Sequence, residues 1–215
     1  MRIAVEIYED AGSSFSKFQL WRHILYGLIG VKEIQVFLCR TWYWDGSPAT
    51  FRCTRPIAGD LDQILEDYLS FHFRMGPFAK RRRIDKTDPI DCFLTLGFVD
   101  PIPHLAPLVY TIVDLAHWTG VRAMSEPERL RHQSSILSAM KAAQAFVFLN
   151  ESLRVEFESL FPGWLESSRK PFRILSFPTS GVSSLDQSGN EQSYLRSCGR
   201  ENLVGLMLEI HKHFD

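Results

Sequence analysis

The chain has 215 residues, of which 45% are hydrophobic and 23% are charged, and its formal net charge is −1. This length suits one large domain, and the apolar fraction is sufficient for a core, so disorder is not expected. A general nucleic-acid binder is also not expected, because neutralising phosphates requires a surplus of Lys and Arg on one face.

The cysteine pattern and the lack of a signal-peptide pattern predict a cytoplasmic protein. The four cysteines are scattered along the chain, without the close pairs of a zinc site or the density of a secreted disulfide scaffold. They are most simply interpreted as reduced thiols, and no metal is expected. The N-terminus lacks the apolar core of a signal peptide, and no stretch approaches the length of a membrane span.

The first elements form a strand, loop, helix and strand. Residues 3–7 are apolar apart from Glu6 and predict a buried strand that begins at Arg2. Loop-forming residues follow at 9–14, and a helix is predicted from Phe18, Trp21, Leu25 and Leu28 at helical spacing. The next apolar run, 34–38, predicts a second strand parallel to the first.

Further short strands are predicted along the chain, at 49–53, 92–96, 108–113, 146–149 and 172–177, with a helix at 59–73. A third helix is predicted to begin at Ser125, which can act as its N-cap, with Pro127 in the first turn and Glu128 closing a capping box. Its apolar face is predicted from residues at helical spacing, namely Leu130, Leu137, Met140 and Ala143, with Ile136 near the edge.

Strands that alternate with helices predict an α/β fold, a single Rossmann-like domain with a mostly parallel sheet flanked by helices. We assign residues 1–182 to this domain. Residues 183–197 have the composition of a flexible linker. Residues 198–215 predict a C-terminal amphipathic helix that packs back on the domain, since Leu203, Met207, Ile210 and Phe214 fall at helical spacing.

Ligands of such folds bind at the carboxyl ends of the strands, where two candidate sites follow predicted strands. Asp114 and His117 are the candidate catalytic pair, because a histidine of near-neutral pKa can act as a general base. The alternative is that Asp114 caps a loop and His117 is solvated. Asn150 and Glu151 can contact a ligand, although helix capping explains both without one.

Three other segments have both a functional and a structural interpretation. Gly12, Ser13 and Ser14 can offer backbone N–H groups to a phosphate or sugar, or form an ordinary βα turn. The basic run 80–83 can contact an anionic membrane surface or an acidic partner, or be a solvated helix end. The aromatic residues 42–44 can stack on sugar rings, or belong to the core or a subunit interface.

Three stretches, in this order, resemble the N-terminal half of a retaining glycosyltransferase of family four, also called group one, which has the two-domain GT-B fold. They are residues 1–5 with the glycine loop and helix after them; residues 107–115 with the Arg-containing helix from Ser125 to Ala145; and residues 145–154 with 174–182, ending in Gly181-Val182. The resemblance covers roughly the first 180 residues.

The resemblance implies an acceptor-side domain that binds a sugar or lipid-linked glycan acceptor, and a nucleotide-sugar donor bound by a second domain that these 215 residues do not include. The chain departs from the family pattern at Val113, where members often have histidine, at Asn150-Glu151, where they have Ser-Glu, and at Ser183, where they have Asp. Hexosyl transfer would therefore require a separately encoded donor-domain partner, without a metal or a covalently bound cofactor. The alternative is a non-catalytic scaffolding module that uses the former domain interface for a protein partner or a homodimer.

Overall fold

The computed structural model of the chain describes residues 1–7, 24–42, 50–53, 90–96, 106–120, 125–175 and 205–206. The strands are β1 (Arg2–Ile7), β2 (Gln35–Trp42), β3 (Thr50–Cys53), β4 (Cys92–Leu96), β5 (Leu108–Ile112), β6 (Ala145–Phe148) and β7 (Phe172–Ile174). The helices are α1 (residues 24–29), α2 (Ala116–Thr119), α3 (Glu126–Ala142), α4 (Glu151–Leu160) and α5 (Trp164–Ser168).

The strands form one sheet in the order β3-β2-β1-β4-β5-β6-β7. Neighbouring strands are parallel except that β3 runs antiparallel to β2 at one edge. The strand order reverses between β1 and β4, as it does in Rossmann-like sheets. The predicted fold class, a Rossmann-like α/β domain with a mostly parallel sheet, is therefore confirmed.

Apolar side chains cover both faces of the sheet, which is why its strands read as nearly continuous hydrophobic runs. Ile3 and Val5 of β1 belong to one core cluster, together with Leu25 and Leu28 of α1. Ala4, between them, belongs to the other core cluster. Because successive side chains in a strand point to opposite faces, β1 contributes to both core clusters, as β4, β5 and β6 also do.

Aromatic residues dominate the second cluster, on the face covered by α3, α4 and α5. Phe157 of α4 is fully buried and lies among Phe148, Phe161 and Trp164, with ring centroids 5.4, 4.9 and 5.7 Å away. These distances suit the offset and edge-on contacts that aromatic rings prefer. The cluster fixes α4 and α5 to the β6 end of the sheet.

The buried face of α3 differs from the predicted one. Leu130 and Leu137 remain 53% and 43% exposed, whereas Ile136 and Ala139 are buried. His132 and Ser135 are buried on that same face, at 2% exposure each. The predicted face is wrong for Leu130 and Leu137, but Ile136 and Ala143 are buried as predicted. The prediction counted only apolar positions, whereas two polar residues of α3 also face polar groups of the sheet and of α2.

Lys170 holds the C-terminal end of α3, whereas the Ser125 half of the predicted capping box does not form. Ser125 occupies the N-cap position with extended backbone, and its side chain makes no capping hydrogen bond within the described part of the chain. At the other end the Lys170 ammonium donates to the carbonyls of Met140 and Ala143, at 2.9 and 2.7 Å. A cation at a helix C-terminus also interacts favourably with the helix dipole.

Several predicted boundaries shift by a few residues. The second strand extends to Trp42 rather than ending at residue 38, since its outer end pairs with β3. Residues 205–206 are helical, and Leu206 is fully buried in the first core cluster. The rest of segment 198–215, the linker 183–197 and the predicted helix 59–73 lie outside the described residues. In the ranges that are described, no helix has the length and apolar character needed to cross a membrane.

Candidate ligand site at the carboxyl edge of the sheet

Two polar side chains interrupt the apolar strands on either side of the point where the strand order reverses. Glu6 lies one residue before the end of β1, and Thr95 lies one residue before the end of β4. The two residues are register partners, and they are 8% and 0% exposed. In open α/β sheets the crevice outside the carboxyl ends at this point is where ligands bind.

The polar positions continue from β4 into β5 and α3. Thr95 is the register partner of Tyr110, whose hydroxyl lies 3.0 Å from the hydroxyl of Ser135. The Thr95 hydroxyl oxygen also accepts a 3.3 Å hydrogen bond from the Thr111 backbone N–H. We call Glu6, Thr95, Tyr110 and Ser135 the polar row. All four side chains are buried, and Glu6 is the most exposed of them at 8%.

Asp114 and His117 follow β5, as predicted, but both are engaged in the fold. The Asp114 carboxylate accepts a 2.6 Å hydrogen bond from the Ala116 N–H, which fixes the turn into α2. This is the loop-capping alternative that the sequence left open. The other alternative, a solvated His117, is wrong, since its side chain is only 1% exposed.

The electrostatic surroundings of His117 disfavour its charged form. The pKa of His117 is lowered to about 4, mainly by burial and then by the neighbouring His132, while Asp114 acts in the opposite direction. The His117 and His132 rings meet edge to face with centroids 5.1 Å apart. At neutral pH His117 is therefore an uncharged imidazole and a weak base, not the near-neutral base expected from the sequence.

Asn150 and Glu151 follow β6 and serve helix α4. The Asn150 side-chain oxygen accepts a 2.8 Å hydrogen bond from the Leu153 N–H and caps the helix. Glu151 pairs with Arg154 one turn later, at 2.6 Å on the exposed surface. The side-chain hydrogen bond with Arg154 lowers the pKa of Glu151. The capping interpretation is confirmed for Asn150, and acceptor binding by Asn150 and Glu151 stays a prediction.

Asn150→Ala should lower the free energy of unfolding by about 1 kcal/mol, because it removes the cap of α4. Asn150→Asp keeps a capping oxygen and should remain within a few tenths of a kcal/mol of the wild-type value. Chemical denaturation of the three proteins measures the difference. Equal stabilities for the alanine and aspartate variants would contradict the capping role.

Other predicted site residues lie outside the described residues, namely Gly12, Ser13, Ser14, the basic run 80–83 and the aromatic residues 43–44. Trp42 lies at the end of β2. Within the ranges that the structure describes, no group of three His, Cys, Asp or Glu side chains is arranged to hold a metal ion.

The sequence interpretation did not select the polar row or His132. A signal was present for two of these residues, since Glu6 and Thr95 are polar residues inside apolar strands, each one position before a strand ends. Their register, and the contact between Tyr110 and Ser135, depend on the strand order and on the rotation of α3, which local patterns do not contain.

Comparison with protein-family models gave no match, and comparison with curated proteins gave none either. The functional argument therefore depends on the residues themselves, on the geometry of the sheet and on the sequence resemblance.

Proposed function

We propose that this chain is a glycosyltransferase-like, acceptor-side domain that binds a sugar or lipid-linked glycan at the carboxyl edge of its sheet, beside Glu6 and Thr95. It would transfer a hexosyl group from a nucleotide-sugar only when a separate donor domain complements it. The observation that carries the proposal is the Glu6–Thr95 register pair at the reversal of the strand order.

The chemistry of a carboxylate at this position fits a hydroxyl-rich ligand. A sugar hydroxyl donates to a carboxylate in a charge-assisted hydrogen bond, which is about twice as strong as a neutral one. At 8% exposure Glu6 is shielded from bulk water, which strengthens such a bond further. Thr95, its register partner, carries a hydroxyl that both donates and accepts.

The candidate catalytic pair among the described residues supplies little for catalysis by itself. In hexosyl transfer an acceptor oxygen bonds to the anomeric carbon as the bond to the nucleotide diphosphate breaks, and the hydroxyl proton must leave. With a pKa of about 4, His117 is a weak base for that proton, and Asp114 is occupied by the turn into α2. The proposal therefore assigns acceptor binding to this domain and assigns donor binding to a partner.

Calorimetric titration of the purified chain should detect glycan binding that depends on Glu6. Suitable probes are free disaccharides, with octyl glycosides below their micelle concentration as stand-ins for a lipid-linked acceptor. Glu6→Gln should weaken binding by about 10- to 100-fold, because it removes a hydrogen bond to a charged group. Glu33→Gln is the matched control, since Glu33 is exposed near the start of β2, at the opposite edge of the sheet.

Each other outcome of the titration contradicts some part of the proposal. Equal affinities for the two glutamine variants would remove Glu6 from the site. Hexosyl transfer from a nucleotide-sugar by the isolated chain would contradict the need for a donor domain. Absence of binding to every glycan and nucleotide-sugar, together with a stable homodimer in light scattering, would instead favour the scaffolding module.

A further inference from the structure

The antiparallel edge of the sheet places two cysteines directly opposite each other. Cys39 of β2 and Cys53 of β3 are register partners, although 13 residues separate them in the sequence. Directly opposed residues of an antiparallel pair have Cα separations of about 4.5 or 5.5 Å, depending on the hydrogen-bonding position. Both values lie within the range of about 4.4–6.8 Å that a disulfide spans.

We propose that Cys39 and Cys53 form a reversible dithiol–disulfide pair that links the edge strand β3 to β2 when the protein meets a low-molecular-weight disulfide such as oxidised glutathione. The inference does not depend on the proposed function. The sequence alone favoured four separate reduced thiols, because the pairing appears only when β3 folds back along β2.

The exchange proceeds in two steps that balance. The thiolate of one cysteine attacks oxidised glutathione, forms a mixed disulfide and releases one glutathione thiolate. The second cysteine then attacks the mixed disulfide and releases the second glutathione. Two protein thiols are oxidised, and one glutathione disulfide is reduced to two thiols.

A disulfide at this position should hold the edge strand β3 against β2. Strand β3 has four residues and pairs on one side with β2, at the edge of the sheet. Short edge elements open locally at a lower free energy than central strands. A bond between Cys39 and Cys53 closes a loop of 15 residues and should suppress that opening.

The bond also lies beside the candidate ligand site. Cys39 of β2 pairs in register with Cys53 of β3 on one side and with Glu6 of β1 on the other side. The three residues therefore lie in one row across the three strands. Cys92 provides an internal contrast, since it is fully buried, and burial raises the pKa of its thiol to about 12. It is not expected to react, because the thiolate is the nucleophile.

Peptide mapping of the native 215-residue chain after treatment with oxidised glutathione tests the inference. Trypsin cleaves after Lys32, Arg40, Arg52 and Arg74 and leaves the Arg55-Pro56 bond intact, so the bond should appear as peptide 33–40 joined to peptide 53–74. We expect this linked species to form in most molecules and to disappear with dithiothreitol. The thermal midpoint should rise by about 5–10 °C in the oxidised protein.

Two variants test whether the disulfide requires the register that pairs residue 39 with residue 53. Cys53→Ser should leave Cys39 as a mixed disulfide with glutathione and remove the rise in the thermal midpoint. Adding Arg52→Cys to that variant places a thiol one residue out of register, and it should not restore the linked peptide. The inference is overturned if Cys39 and Cys53 stay alkylatable in the treated wild-type protein, if they carry only glutathione, or if either links to Cys92 or Cys198.

Discussion

Phe157→Ala should lower the free energy of unfolding by about 3–5 kcal/mol, which is the usual cost of removing a fully buried aromatic side chain. Phe157 is 0% exposed and contacts Phe148 of the sheet, Phe161 and Trp164. Its ring therefore joins α4 and α5 to β6, and the cavity left by alanine would border several rings that cannot collapse into it. Urea denaturation followed by circular dichroism measures the loss.

Val155→Ala is the matched control, because Val155 lies on the same helix but is 52% exposed. It should change stability by no more than about 0.5 kcal/mol. A loss for Phe157→Ala that is as small as the loss for Val155→Ala would mean that α4 does not pack on the sheet through this ring.

Between pH 7.5 and pH 4 the burial of His117 should cost the folded protein about 3 kcal/mol of stability. The folded pKa of about 4 lies below the ordinary value of 6.5, so the unfolded chain binds a proton that the folded chain excludes. Stability contributed by neutral His117 is therefore full above pH 6.5 and falls as the pH drops toward 4. Carboxylates titrate in the same window, so the test is a difference between variants.

His117→Gln should flatten the fall in stability between pH 6.5 and pH 4 by about 3 kcal/mol relative to the wild type, even if it lowers stability at pH 7.5. Ser138→Ala, on the exposed face of α3, should retain the wild-type pH dependence. Denaturation midpoints at five or six pH values give the comparison. Parallel curves for the wild type and His117→Gln would contradict the assigned burial of the neutral imidazole.

The sheet was largely predictable from the sequence because its central strands are short apolar runs bounded by turn residues. Strands β1 and β4 have the bounds Arg2–Ile7 and Cys92–Leu96, as expected. The extent of β2 was not predictable, since its outer half is stabilised by pairing with β3 and not by a local pattern.

The candidate site was predictable only in its location. The carboxyl edge of the sheet follows from the αβ alternation, and Asp114 and Asn150 do lie just beyond strand ends. A loop-capping role for Asp114 and a helix-capping role for Asn150 were among the stated alternatives. The burial of His117 could not be predicted from the residues around it in the sequence. It depends on contact with His132, which is 15 residues away. His132 lies on a face of α3 that the apolar pattern did not predict to be buried.

The most direct test of acceptor binding at this edge is amide chemical-shift mapping of the ¹⁵N-labelled full-length chain during titration with the same disaccharides and octyl glycosides. The proposal predicts saturable shifts at Glu6, Thr95 and Asp114, with unchanged signals at the opposite edge near Glu33, and loss of the shifts in Glu6→Gln. Shifts confined to the opposite edge, or none with any glycan at millimolar concentration, would contradict it.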